Sequence, residues 1–495
     1  MADACNMTPL VVIGAGPHAL ALVLTLLEQD SASEFTETEA AMLSFWRKKR
    51  LAPQRPSLRH HLRVLDPSGA WCANWNANFE LFGISHLRSP LSVHLDPLRP
   101  EGLRDFATST HSVVAPPPST IRFNKRNKAF ASQTSMFSEN DRSFFGCPRQ
   151  DLFAAHNKML ITQYKIETLV EPQTATSIVP VFTSDGDKTP SSFQVHCASG
   201  EIVCAAKVVV AVGTQRLPRR PTWSLASRRT FHSADLVAQG PSIVQARYAA
   251  TRPHVLLVGG GLTSVHLAKQ ALRWGATHVT LLTRSPHLRV QPYDVPLEWL
   301  SPTLGDKMRA AFFAEANADA RLARLKQARG RGSVTQAAMD QLTAVATPET
   351  FTHMGSTTVV AVEEVDGRLQ ITLSSEDVAA SPLVVDEIIL ATGSDVDVTR
   401  DPLFRELLPL GVTTTGGFPN VDQDLRIATD VNVFLMGGYA SLRLGPTAGN
   451  LMGGRAGANL LSDVLLDDLL PPTEQTTHHH VRCLCGKENM YDLLL

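Results

Sequence analysis

The chain has 495 residues, too many for one hydrophobic core, so two or three domains are expected. It is 43% hydrophobic and 19% charged, the balance of a soluble globular protein. With 46 basic against 47 acidic side chains the formal net charge is -1, which speaks against nucleic-acid or membrane-surface partners.

The first predicted strand is "PLVVIGAG", an apolar run ending in glycines, and His18 to Gln29 reads as a largely buried helix. The run "RKKR" at Arg47 to Arg50 reads as a solvated helix end or loop. A polar stretch, Asp30 to His61, separates that helix from the strand "LRVLD", which ends at Asp66. Thr108 to Pro148, rich in Pro, Ser and Thr, is expected to be an insertion with long loops. "RQDLFAAHNKMLITQYKI" returns to helical spacing, and strands flank a turn at Ser199-Gly200. A second strand-glycine-helix unit starts at His254, and a helical, basic stretch runs from Leu304 to Gly330. The run from Phe351 to Ser375 predicts antiparallel strands about an Asp366-Gly367 turn. The chain closes through "VDEIILATGSD" and "GPTAGNLMGGRAGANLL".

No apolar stretch can span a bilayer, and the start lacks a basic segment leading into a cleavable apolar one. The seven cysteines, Cys5, Cys72, Cys147, Cys197, Cys204, Cys483 and Cys485, form no C-x-x-C or C-x4-C pair. A disulfide reductase is disfavoured and a reducing, cytoplasmic setting is expected. The tail "HHH" to "CLC", His478 to Cys485, matches no familiar metal spacing and is read as flexible.

The glycine turns carry the chemistry. Gly14 allows the tight turn out of the first strand, Gly16 lets the backbone approach a pyrophosphate, and Ala19 permits close helix packing after Pro17. Asp66 is the candidate for the adenosine ribose, 52 residues beyond Gly14, so the stretch between is an insertion; the alternative is a turn-initiating Asp-Pro. The second unit has Gly259, Gly261 and Ser264 in the same pattern. Its next strand ends in Arg284, a cation that suits a 2′-phosphate and favours NADPH; the alternative is an exposed strand-end Arg. Two turns imply two tasks: one holds a flavin dinucleotide and the other presents a nicotinamide to it.

The motifs "GAGPHAL", "AVGTQRLP", "HSADL", "GGGLTS" and "LATGSD", in that order, resemble class B flavoprotein monooxygenases, closest to the ornithine and lysine N-hydroxylase branch. The resemblance runs from about Pro9 to Leu466. It implies an α/β fold of two Rossmann-like domains, one for FAD and one for NADPH, with the FAD domain discontinuous. The implied boundaries are 1–240 and 388–470 for FAD, 241–387 for NADPH, and 471–495 as tail. It also implies that Gly213 and Gly393 mark the crossings between domains, and that Trp71 lies near the isoalloxazine. Gly437, Gly449, Asn450 and Leu451 would serve the flavin, with the N–H groups of Gly445 to Leu451 facing its N1/C2=O edge. Ser89 to Pro97 would line the flavin face.

The implied reaction is transfer of one oxygen atom from a flavin C4a-hydroperoxide to an amine or similar soft nucleophile, with no dedicated acid-base pair. The alternatives are an FAD/NADPH reductase or oxidase without oxygen transfer, and a regulatory flavoprotein. The partner is a small molecule, and homo-oligomerisation stays open. Two departures bear on the substrate. The Baeyer-Villiger pattern is absent before His232, where Ala226 and Arg228 stand in place of its Phe and Gly. The family's substrate-binding Asn is replaced by Leu297 in "LEWLSP", so free ornithine and lysine are expected to be poor substrates.

Overall fold

The computed structural model describes residues 6–470 except 29–44, 46–48, 50–56, 100, 119–120, 122, 125–136, 139–141, 143, 185, 215, 302–303, 331 and 375–381. The "RKKR" run, apart from Lys49, and the His/Cys tail lie outside the described residues.

Two sheets organise the chain, the first mixed and the second parallel throughout. In the first, Thr8–Ile13 lies between Leu62–Asp66 and Ile202–Val210, with Val170–Pro172 beyond Leu62–Asp66. Leu10 to Ile13 are buried, as expected of a strand covered on both faces. Ile202–Val210 is long enough to carry two neighbours along one edge. Its start pairs antiparallel with Ser192–Cys197, and its end pairs parallel with Val433–Leu435. A late segment is thereby drawn into the first sheet. Pro17–Glu28 and Leu451–Leu469 pack together on this sheet and share its core.

The second sheet runs Thr230–His232, Glu387–Leu390, His254–Val258, His278–Leu282, Phe351–Met354, all parallel. The helix Leu262–Trp274 follows the second glycine turn and buries Val265, Leu267, Ala268 and Ala271. An antiparallel meander, Thr358–Val365, Arg368–Ser374 and Leu383–Val385, packs beside the sheet. Its turn places Asp366 and Gly367 at φ 52° and 76°, the conformation of a two-residue hairpin. Phe351–Met354 corrects the sequence expectation. It belongs to the parallel sheet because its register runs alongside His278–Leu282.

The Thr108–Pro148 region is more than loops. Ile121, Phe137 and Phe145 are buried against Tyr293, Trp299, Leu300 and Phe312, each large apolar side chain contributing about 1.5–3 kcal/mol by burial. Among the described residues, no helix is long and apolar enough to cross a membrane.

Candidate functional site

Each glycine turn is fixed by two backbone hydrogen bonds. Gly14 N–H donates to Leu65 at 2.8 Å, and Ala211 N–H donates to Ile13 at 2.8 Å. In the second unit Gly259 donates to Leu282 at 3.0 Å, and Ala391 donates to Val258 at 2.9 Å. Gly14 has φ +100° and Gly259 φ +147°, a region that glycine occupies freely. A Cβ on Gly14 would stand 2.8 Å from the Ala211 carbonyl oxygen, and one on Gly259 would collide with the Ala391 carbonyl oxygen. Gly16 differs, since a Cβ there would meet nothing within 4 Å. Open space beside a helix N-terminus is what a diphosphate needs.

Asp66 ends its strand as expected. Its Oδ2 accepts from Ala15 N–H at 3.0 Å, inside the glycine turn, and its Oδ1 accepts from Ser68 N–H at 3.0 Å and from the Ser68 hydroxyl. Asp66 therefore makes the local Asp-Pro turn and also ties the strand end to the glycine turn. Ala19 is buried in the helix behind, and Pro17 opens that helix. In the second unit Ser264 is buried and its hydroxyl donates to Gly261 at 2.6 Å.

Arg284 is exposed, and no ion pair to it is present among the described residues. It lines a cleft of about 770 Å³ together with Gly259, Gly261, Thr214, His232 and Gly393. A side cavity of about 250 Å³ beside Gly260 adds His287 and Arg289 to Arg284. The two crossing segments meet at this cleft. Leu217-Pro218 pairs antiparallel with Ser394-Asp395, Arg219 N–H donates to Gly393 at 2.9 Å, and the Thr392 hydroxyl donates to Arg219. Gly213 at φ +73° and Gly393 at φ +75° both face open space. His232 caps the helix Ser233–Gln239 and also bonds the Gly393 carbonyl at 3.1 Å. Burial lowers the pKa of its imidazole.

Three segments expected beside the flavin also serve the fold. Trp71 is buried in the first core, and its indole N–H donates to the Ile166 carbonyl at 2.9 Å. Ser89 to Pro97 also serves the core, since Leu91, Val93 and Leu95 are buried there. His94 is fully buried and lies edge-on to His156 at 5.6 Å. Third, Asn450 does open the last helix, as its N-cap, but it takes the Met452 and Gly453 N–H groups itself, while those of Ala448 and Asn450 bond to Gly445 and Thr447. Within Gly445 to Leu451 the N–H groups of Gly445, Ala448 and Asn450 are taken by backbone carbonyls. Leu451 is buried as the first helical residue.

His18 escapes a sequence reading. It sits where Gly437 and Gly454 lack side chains: a Cβ on Gly437 would be 3.0 Å from its Nδ1, and one on Gly454 2.9 Å from its Cδ2. Burial pushes its pKa down to about 4, opposed by a hydrogen bond to the Asn450 backbone. A neutral imidazole thus joins the first glycine turn to the start of the last helix. Asn450 also approaches Asp294 at 3.5 Å, and Arg329 bridges Asp294 at 3.1 Å and the Pro446 carbonyl at 2.6 Å. A Cβ on Gly449 would lie 3.5 Å from this Arg329. Leu297 packs against the aromatic cluster of Tyr293, Trp299 and Phe312.

The sequence pattern of the family L-lysine 6-monooxygenase/L-ornithine 5-monooxygenase matches residues 173–396. No curated protein matches the chain by sequence. Solved structures of similar fold include the ornithine hydroxylase of Pseudomonas aeruginosa in its reduced form, with TM-score 0.64, 16% identity, and coverage of 94% of this chain and 100% of that one. The ornithine N-hydroxylase of Kutzneria sp. 744, with reduced FAD, NADP⁺ and L-ornithine, gives 0.64 and 16%, covering 93% and 99%. The FAD-bound cadaverine monooxygenase of Erwinia amylovora gives 0.62 and 13%, covering 94% and 96%. The chain resembles the ornithine/lysine N-hydroxylase-like flavoproteins in sequence over its middle and in fold over nearly all its length.

Proposed function

We propose that the chain is an FAD-dependent, NADPH-using monooxygenase that hydroxylates an amine nitrogen. The observation that carries this reading is the pair of glycine turns built alike on two sheets, whose crossing segments meet at one cleft. The residues fit the two cofactors. Gly16 leaves room for a diphosphate, and Arg284 is a cation with no acid beside it at the second site.

FAD, when bound, supplies two-electron transfer from NADPH and the activation of oxygen that puts one oxygen atom on the amine. The chain's own residues bind, orient and exclude water. Asp66 holds the Ala15 N–H and presents its carboxylate at the ribose end of the first turn. The N-terminus of the helix Pro17–Glu28 would hold the FAD diphosphate. Arg284 would hold the 2′-phosphate of NADPH. His18, kept neutral by burial, fixes the start of the last helix without adding charge. Gly213 and Gly393 keep the path between the two seats clear of side chains. The division at 1–240, 241–387 and 388–470, and a cytoplasmic location, belong to this reading.

The test is stopped-flow spectroscopy with product analysis. Purified protein holds FAD, NADPH bleaches it faster than NADH, and an amine yields hydroxylamine in step with NADPH consumed. Full reoxidation to H₂O₂ with every amine offered would leave a reductase or oxidase instead.

A further inference from the structure

A second cavity lies apart from the glycine cleft. It measures about 400 Å³, and Leu87, Pro116, Leu262, Val290, Tyr293 and Ala337 are among its walls. One wall comes from the first-sheet side of the chain, the other from the start of the second nucleotide helix and the segments after it. Segments that line it run on into both candidate cofactor seats. Leu262 directly follows Gly261, and Tyr293 directly precedes Asp294, which approaches the helix cap Asn450 at 3.5 Å.

The walls are mostly apolar in surface, with Arg88, His86 and Asp340 among the polar groups on them, and Val290 stays 43% exposed at the site. Pro116 and its two neighbouring prolines stiffen one wall. The charged groups on the walls leave little for an α-amino acid. Arg88 is buried, and its guanidinium donates to the carbonyls of Gln291 at 3.0 Å, Pro292 at 3.3 Å and Tyr293 at 2.7 Å, to the Ser333 hydroxyl at 2.8 Å and to the Ser333 carbonyl at 3.4 Å. Burial, then the charge of Lys269, keeps the His266 imidazole uncharged. Asp340 sits on the exposed side of its helix and accepts from Gln336 at 2.8 Å. His86 on the wall shares a hydrogen bond with the Ser85 hydroxyl at 2.9 Å, and burial, then the charge of Arg149, lowers its pKa. Among the described lining residues a substrate carboxylate finds no free cation, and unpaired burial of a charge is costly.

We propose that this cavity binds the hydrocarbon body of the substrate, an amine carrying an alkyl or aryl group and no carboxylate. The assignment rests on the N-hydroxylase reading for the reaction, and on the cavity alone for the substrate class. Selection arises as much from the missing cation as from the apolar contact.

Equilibrium binding tests it without turnover. The FAD-loaded chain, with NADP⁺ present, is titrated calorimetrically with n-octylamine, 4-phenylbutylamine and L-ornithine. The two apolar amines are expected to bind about tenfold or more tightly than ornithine. Ala337→Trp, on an exposed helix position, and Val290→Trp each fill the cavity and weaken both amines by about tenfold. FAD content and the rate at which NADPH bleaches the flavin stay unchanged, since neither residue belongs to a glycine turn. Ornithine binding as tightly as the amines, or amine binding indifferent to Ala337→Trp, overturns the proposal. Tight, variant-sensitive amine binding with no hydroxylated product would instead remove the reaction assigned above and leave the cavity assignment standing.

Discussion

At the first turn, Gly14 leans on Ala211 and the neighbouring strand ends in Asp66; at the second, Gly259 leans on Ala391 and the strand ends at Leu282, followed by Thr283 and Arg284. The registers Ile13↔Leu65 and Val258↔Leu282 make Thr283, not Arg284, the positional counterpart of Asp66. Thr283 turns its hydroxyl onto the Ser285 carbonyl and His353, so the second turn receives no carboxylate there. The second turn is also more enclosed. Gly261 has Gly332 at 3.8 Å from a would-be Cβ, whereas Gly16 has nothing within 4 Å. The shared part, a glycine against an alanine carbonyl, serves the fold. On the function proposed above, the parts that differ would set which nucleotide each turn takes.

The largest effect expected is at the shared part. Gly14→Val and Gly259→Val each combine a positive φ with a collision against backbone, and should cost at least about 3 kcal/mol. Soluble yield and the melting temperature of the apoprotein report this. Gly16→Val is the contrast: the apoprotein should melt within about 0.5 kcal/mol of the parent, yet hold no FAD. A Gly14→Val chain that folds normally and merely lacks flavin would mean that the side chain meets the cofactor and not Ala211.

Next in size is Arg284→Ala. Loss of hydrogen bonds to a charged group should weaken NADPH by about 1.5–3 kcal/mol, read as the KM for flavin reduction, with NADH little changed. Equal losses for both nucleotides would make Arg284 a strand-end residue only.

Both turn helices carry a neutral histidine, half-buried His18 on the first and buried His266 on the second, with pKa pushed down to about 4 and about 3 by desolvation. The unfolded chain titrates near 6.5, so it takes up protons first as pH falls. The stability each histidine contributes is complete above pH 6.5 and is lost as pH falls through 6.5 toward 4 for His18 and toward 3 for His266. At pH 5 the loss should be about 2 kcal/mol for each. Melting temperatures of His18→Gln and His266→Gln between pH 7 and pH 5 should fall less steeply than the parent's. His18→Gln should also flatten acid release of FAD, because His18 lies against Gly437, Gly454 and Asn450. Parallel slopes for all three proteins would show that neither imidazole titrates in this range.

The turns were legible because their signals are local: an apolar run, glycines at fixed spacing, a helix after them. Leu62–Asp66 and His254–Val258 fall where the apolar pattern put them. What stayed hidden depends on partners far along the chain. Trp71 turns to Ile166, 95 residues on. His18 needs two glycines more than 400 residues away to make its slot. The Asn450 cap consumes N–H groups that a motif alone leaves open. Phe351–Met354 has strand composition, but only its partner sets its direction.

The smallest expected effect distinguishes the two readings of Asp66. Its Oδ2 serves the Ala15 N–H at 3.0 Å, and its Oδ1 serves Ser68. Asp66→Asn keeps the shape and one acceptor oxygen but removes the charge. A hydrogen bond to a charged acceptor exceeds a neutral one by about 1 kcal/mol, and a ribose hydroxyl that donates to the carboxylate would feel the same difference. FAD affinity should therefore fall about fivefold, with the apoprotein's melting temperature lowered only slightly. If melting falls and FAD affinity holds, Asp66 is a turn residue alone. The mirror change, Thr283→Asp, places a carboxylate at the matching register of the second turn, next to Arg284. It should weaken NADPH more than NADH, because the new charge opposes the 2′-phosphate. An equal effect on both nucleotides would show that the strand-end position does not face the ribose, and the correspondence between the two turns would stop at their first glycines.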